Sequence, residues 1–155
     1  PQLCDGLNNN CLDGTWPTPP ANEADQDGDG FRICSPDCFD TNSQVWGGPA
    51  EVANLAAASG IPTVLSWTSQ SGSAGPETTY DVVGGMLTSP PGFLDISLAS
   101  CLQSGGPSSF SDTRPNPALG AGYWYLARGS NSCGVGTYGT GSFGLDRDLS
   151  IPPCP

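Results

Sequence analysis

The chain contains no lysine and no histidine, a single methionine, and only four basic residues, all of them arginine. Those absences exclude a good deal of chemistry. The commonest general base, the Schiff-base amine and the Ser-His nucleophile pair are all missing. The Gly-rich stretch Gly134–Gly144 has no following Lys and helix to cradle phosphate. A two-carboxylate glycosidase stays formally open, but Glu51, Glu77, Asp81, Asp95, Asp112, Asp146 and Asp148 show no pairing along the sequence. Asp112, Arg114 and Arg128 are expected at turns or on a solvent face. The expectation is therefore a protein that is not an enzyme. Positive charge is scarce as well: 15 acids leave a net charge of −11, which repels nucleic acid and anionic membranes as partners. No apolar run approaches the ~20 residues that span a bilayer.

Glycine (22) and proline (16) are abundant in the 155 residues, a bias that can signal disorder. Four Trp, five Phe and four Tyr argue instead for a folded chain. Gly/Pro punctuation between short apolar runs predicts a turn-rich, mainly β protein. Seven cysteines (Cys4, Cys11, Cys34, Cys38, Cys101, Cys133 and Cys154) predict a disulfide framework in an oxidising compartment. Zinc is the weaker reading, because histidine is absent and the Cys34/Cys38 spacing is flanked by hard carboxylates. The odd count leaves a thiol free or bonded to another chain. A start at Pro1, without an apolar leader, reads as a removed signal peptide or an excised piece, and the expected location is secreted or on the extracellular surface.

Nine of the 15 acids fall in residues 1–51, where Arg32 is the only base. Crowded carboxylates repel, so compact folding of this segment calls for a cation. The chain divides near Gly47–Glu51 into an acidic, Cys-rich segment, 1–50, and a β-region, 51–155. In the latter, Val64–Trp67, Tyr80–Val83 and Gly122–Arg128 alternate as strands, with Tyr123, Tyr125 and Ala127 on one side. Thr137-Tyr138-Gly139 is a candidate last strand. Turns are expected at Ser69–Pro76, Ser89–Gly92, Gly105–Ser109, Arg114–Gly122 and Gly139–Gly144. Such spacing predicts an antiparallel sandwich. Residues 52–59 (VANLAAAS) are a candidate short helix, since Ala and Leu favour one.

The sharpest local pattern is Asp25-Gln26-Asp27-Gly28-Asp29-Gly30-Phe31. Carboxylates at positions 1, 3 and 5, Gly at 6 and a backbone carbonyl at 7 form the first half of a calcium loop, because alternate side chains of a tightly curled loop converge on one centre. The position that would close an EF-hand loop is Pro36, so Asp37 and Asp40, with Asn42 beyond them, are the candidates for the remaining oxygens. Cys34 and Cys38 would hold that return segment. Calcium is the expected cofactor, through Asp25, Asp27, Asp29, the Phe31 carbonyl, Asp37 and Asp40. A weaker cluster, Asp5, Asn8, Asn10 and Asp13, lies in a loop that Cys4 and Cys11 are placed to fasten. It reads equally well as an ordinary Asn/Gly turn region.

The blocks CDGLNNNCLDG, DQDGDGF and CSPDCFD together resemble the MopE-type metal-binding motif of secreted bacterial proteins. In the first block Asn8 stands where that family usually carries Asp, and Leu12 looks like an insertion. Copper, which the family name implies, does not carry over to a chain with no His and one Met. Residues 50–155 are similar to a fibronectin type III module of the immunoglobulin-like class. Leu65-Ser66-Trp67 resembles its strand B, Tyr80-Asp81-Val82 its strand C, and Phe110–Thr113 with Gly122–Asn131 its strands E and F. The resemblance implies that Trp67 is the core tryptophan and Tyr123 a corner tyrosine bonded to nearby backbone. Cys101, Cys133 and Cys154 are extra to such a module, and Cys154 is the first candidate for a link between chains, ahead of Cys101.

These features point to a structural or adhesive extracellular protein, stabilised by calcium and self-associating into a surface fibre or matrix through exposed edge strands, with the Pro-rich end Ile151–Pro155 able to lie against a neighbour. The alternative is a monomeric calcium-binding accessory module, a spacer or carbohydrate binder, of a larger secreted enzyme or adhesin. Trp16, Trp46 and Trp124 would then be platforms for glycan contact.

Overall fold

A computed structural model describes residues 2–87, 95–141 and 144–155. The turn expected at Ser89–Gly92 lies outside the described residues, as does part of Gly139–Gly144. The described chain is mainly β, with two antiparallel sheets and disulfides. The strands are β1 (Ala56–Ala58), β2 (Thr63–Ser66), β3 (Thr79–Leu87), β4 (Ser100–Gly106), β5 (Ser109–Asp112), β6 (Gly122–Asn131) and β7 (Gly134–Val135). A single turn of helix, α1 (Ser71–Ala74), precedes β3. The sheets run β1-β2-β5 and β4-β3-β6-β7.

Alternating apolar residues decide which faces meet. Leu65, Trp67, Tyr80, Val82 and Ala127 are buried together, with Val52, Leu102, Phe110 and Tyr125 packed around them. Fully burying side chains of this size contributes about 1.5–3 kcal/mol each. Trp67 meets Tyr80 edge-on, ring centroids 5.4 Å apart, and the Tyr80 hydroxyl accepts the Gln70 amide at 2.6 Å.

Strand β3 departs from simple alternation, since Tyr80 through Gly84 are all buried. Its second face is covered too. Val83 packs with Tyr138 and Ile151, flanked by Trp124, Leu126 and Cys154. The C-terminal segment is therefore a third layer over the four-stranded sheet, and the chain end meets β4, where Ser104 Oγ donates to the Pro155 carbonyl at 2.6 Å, while Pro152 and Pro153 stay exposed. Gly85 makes room for this layer, because a Cβ there would sit 2.7 Å from the Trp124 indole nitrogen.

Three sequence expectations change. Residues 52–59 are not helical. Asn54 has φ +59°, and Ala56–Ala58 pair with Val64–Ser66; helix propensity is a weak preference that pairing overrides. Thr137–Gly139 is not a strand, because side chains satisfy its backbone. The Tyr138 amide donates to Asp148 Oδ2 (2.9 Å) and its carbonyl accepts from Arg147 Nη1 (2.8 Å). The disulfides are Cys4–Cys34, Cys38–Cys133 and Cys101–Cys154. Neither Cys4–Cys11 nor Cys34–Cys38 is a pair, and Cys154 and Cys101 bond each other. The exposed free thiol is Cys11.

The acidic segment contains no strand among its described residues, yet it is fastened to the sandwich. Cys38–Cys133 ties it to the end of β6. The Asn131 side-chain amide donates to the Gly47 carbonyl (2.8 Å) and the Ala74 carbonyl (3.0 Å). Glu77 N–H donates to Gln44 O at 3.2 Å, and the Asn42 amide to Glu77 Oε2 at 2.9 Å.

Candidate metal centre

The acidic loop curls as its spacing predicts. Gly28 and Gly30 take φ +80° and +94°, conformations that side chains rarely adopt. Asp25 braces the curl by accepting the Gly28 amide (2.7 Å) and the Gly30 amide (3.0 Å). Asp25, Asp27 and Asp29 each bring a carboxylate oxygen within 4.8 Å of the others. Two unit charges ~4 Å apart repel by about 4 kcal/mol at an effective dielectric of 20.

Three carboxylates share one arrangement. Asp27 Oδ1 accepts the Asp29 amide (3.2 Å), Asp29 Oδ1 the Phe31 amide (2.8 Å) and Asp37 Oδ1 the Phe39 amide (2.8 Å). In each, the second oxygen, Oδ2, is buried with no hydrogen-bond partner. Unpartnered buried acceptors are rare and costly; those of Asp27 and Asp29 lie in the converging group with Asp25, while Asp37 and Asp40 are not within its 4.8 Å span. Asp37 is 3% exposed, and its pKa is raised by that burial and then by the charges of Asp29, Asp27 and Asp40. The donors are all hard oxygens, which suits calcium and not a soft metal.

Asp40 serves differently. Its Oδ1 accepts the Gln26 amide (3.2 Å) and its Oδ2 the Gln26 side-chain amide (3.0 Å), so it holds the loop against its return segment. Phe31 anchors the far side, its ring stacked on Trp46 at 5.2 Å.

The first cluster is built as turns. Asp5 accepts from the Leu7 amide (2.9 Å) and the Asn9 side chain (3.1 Å). Asn8 Oδ1 accepts from Gln2 and from the Asn10 amide, both at 3.1 Å. Asn10 accepts from the Leu12 amide (3.2 Å), and Asp13 from Thr15 N and Oγ1 (both 2.9 Å). The backbone and side-chain hydrogen bonds from Thr15 lower the Asp13 pKa. What organises this loop is Glu23, which spacing did not single out. It is 1% exposed and accepts the amides of Cys4 (3.1 Å), Asp5 (3.0 Å) and Gly6 (3.3 Å). Glu23 also lies by Cys4 and Cys34, but those sulfurs are bonded to each other.

Of the charges expected at turns or on a solvent face, Asp112 and Arg114 lie where β5 ends and Arg128 lies within β6, and all three belong to ionic clusters. Asp112 is buried and takes Arg114 through both Nε (2.9 Å to each oxygen) and Nη2 (2.6 Å), with the Tyr125 hydroxyl at 2.7 Å. Those bonds, Arg114 first, hold its carboxyl well below the usual carboxylate range. The Tyr123 hydroxyl donates to the Pro115 carbonyl at 3.1 Å, and the Arg114 guanidinium lies 4.0 Å over the Tyr123 ring. Arg128 is held between Asp81 (3.3 Å) and Asp148 (3.1 Å). Burial would raise the Asp148 pKa, but bonds from Thr137, Tyr138 N–H and Arg128 outweigh it and lower the group. Arg128 also lies 4.6 Å over the ring of Tyr138, whose hydroxyl is pushed up to about 12, chiefly by burial. The groove above, about 460 Å³ and lined by Glu51, Thr137, Asp146 and Asp148 among others, therefore presents an arginine already neutralised by two carboxylates.

No family model, curated protein or solved structure matches this chain. Its functional reading therefore rests on these groups alone.

Proposed function

We propose that this chain is a non-enzymatic extracellular structural or adhesive protein, stabilised by calcium and built to self-associate as the subunit of a surface fibre or matrix. The observation that carries the reading is the set of three buried, unpartnered oxygens on Asp27, Asp29 and Asp37. Calcium would be held by these with Asp25 and the Phe31 carbonyl, while Asp40 positions the return segment. The acidic segment buries few apolar side chains, Val45 among them, so its order depends on cross-links, turns and neutralised charge. Three disulfides support an oxidising compartment, and no described helix is long and apolar enough to cross a membrane. The strand orders β1-β2-β5 and β4-β3-β6-β7, with Trp67 in the core, support a fibronectin type III-like sandwich; the MopE-type reading of the segment before it rests on the curled Asp25–Phe31 loop.

The accessory-module alternative keeps one observation in its favour. Of the three candidate glycan platforms, Trp46 stacks on Phe31 and Trp124 packs against the second core cluster, but Trp16 is 55% exposed. A monomer that binds glycans, with binding lost in Trp16→Ala, would replace the structural reading.

The test is the mass in solution and the unfolding of the native protein, in calcium and then in chelator. A ligand that binds only the folded state at ~100 times its Kd adds about 2.7 kcal/mol. The expected result is ordered association in calcium and a stability increment of that size, absent in Asp37→Asn. Identical unfolding with calcium and with chelator would remove the metal from the reading.

A further inference from the structure

The proposed self-association leaves open which surface meets which. Sandwich edges present unpaired backbone N–H and C=O groups, and proteins protect them with charge, proline, bulges or a covering segment. Among the described residues, three of the four sheet edges have such protection. β4 is covered by the C-terminal tail through Cys101–Cys154 and the Ser104–Pro155 hydrogen bond. β7 is two residues long, and the Pro49 and Ala50 carbonyls crowd the adjoining Gly136 at 3.1 and 3.0 Å from where a Cβ would sit. β5 ends in Asp112 and its ion pair with Arg114. Among the described residues β1 has none of these: Ala56, Ala57 and Ala58 are all exposed, and β2 is its only strand partner there.

Charge makes the same selection independently. The chain carries −11, so two copies repel wherever acidic surfaces meet. Yet no Asp, Glu, Lys or Arg occurs from Val52 to Pro76, the window that contains β1 and β2. Within it Leu55 (37%), Ile61 (71%) and Val64 (39%) are exposed apolar side chains. An uncharged, apolar-flanked strand edge on a polyanion matches another such edge, and the chain's own β1 meets that description.

We propose that β1 is the self-association edge, where two copies pair antiparallel about a two-fold axis through Ala57 and join their three-stranded sheets into one of six strands, β5-β2-β1 continuing into β1-β2-β5 of the partner subunit. This rests on the self-associating reading above and specifies it: an isologous contact closes at two copies, so a fibre would need a second contact elsewhere. Centred on Ala57, the register sets Ala56 opposite Ala58 of the partner subunit and carries Ile61 toward the partner's Ala53.

The register supplies its own test, by sedimentation of the calcium-loaded full chain across a concentration series. Wild type is expected to shift from 15.8 kDa to twice that mass. Ala56→Glu with Ala58→Glu places like charges opposite each other and is expected to weaken the dimer at least tenfold. Ala56→Lys with Ala58→Glu places opposite charges there and is expected to restore it, which a misfolded variant would not do. A double-glutamate variant that dimerises like wild type, or a Lys/Glu variant as weak as the double glutamate, overturns the β1 pairing. Large assemblies unaffected by either variant overturn it while leaving the structural-subunit reading intact. A wild type that is monomeric at every concentration, with and without calcium, overturns both.

Discussion

The two parts of this molecule reach order by different means. Residues 51–155 follow hydrophobic logic, with Leu65, Tyr80 and Val82 sealed between two sheets and Val83 sealed beneath a C-terminal layer. In residues 2–50 the buried side chains are mostly polar: Asn8, Glu23, Asp37 and Asp40, with Val45. Glu23 gathers three backbone amides, Asp40 holds Gln26, and disulfides replace the missing apolar core. A polar segment of this kind is ordered by specific partners, so removing one partner leaves another exposed as a cost. An apolar core is ordered by area, so truncation leaves a cavity.

Severing the link between the parts should show the largest effect. Replacing Cys38 and Cys133 together by Ala opens a separation of 95 residues, and chain entropy assigns such a cross-link about 4–5 kcal/mol. The expected outcome in denaturant titration is separate unfolding of the acidic segment and the sandwich; retention of one transition at the wild-type midpoint would show that the contacts of Asn131 and Glu77 suffice. Leu65→Ala should cost about 3 kcal/mol, since the side chain is fully buried. It should leave any calcium increment intact, whereas Asp37→Asn should do the reverse. Equal calcium dependence lost in both would mean that the parts are energetically one.

The smallest effect concerns pH. Asp112 has its pKa depressed below 3.8. Its stabilisation is therefore present above the unfolded value and is lost as pH falls through the lower folded value. Arg114 is about a third exposed, which reduces the pair below a fully buried one, so Asp112→Asn should cost about 2 kcal/mol at neutral pH. The gap between variant and wild type in thermal unfolding should close as the buffer is taken well below pH 4. A gap that stays constant with pH would assign the loss to packing around Tyr125 and not to charge.

Local patterns were readable in the sequence and distant ones were not. The curl of Asp25–Phe31 follows from alternate aspartates and two glycines within seven residues. β2, β6 and the start of β3 follow from short-period alternation, whereas β5 has no such signal of its own; Trp67 lies in the core and the Tyr123 hydroxyl meets nearby backbone. β1 was obscured because three alanines carry a helix preference and no alternation, and only pairing with β2 decides them. The cysteine pairs span 30 to 95 residues, and no spacing rule reaches that far. Glu23 gave no signal because its partners are the amides of a backbone turn, and Asp40, legible as a candidate ligand, gave no sign of its bonds to Gln26. Arg128 read as a surface charge because Asp81 and Asp148, which enclose it, stand 47 and 20 residues away.

The cross-links also fix how the chain would carry tension. A pull on the two ends enters at Cys4, crosses to Cys34, runs four peptide bonds to Cys38, crosses to Cys133 and leaves along the final stretch. Strands β1 to β6 all lie between Cys38 and Cys133, off that covalent route, so they bear no load through the backbone once it is taut. The ends could then separate by only about 110 Å, against roughly 540 Å for an uncrosslinked chain of this length. Under force this molecule would behave as a short, inextensible strap with its sandwich hanging beside the line of stress.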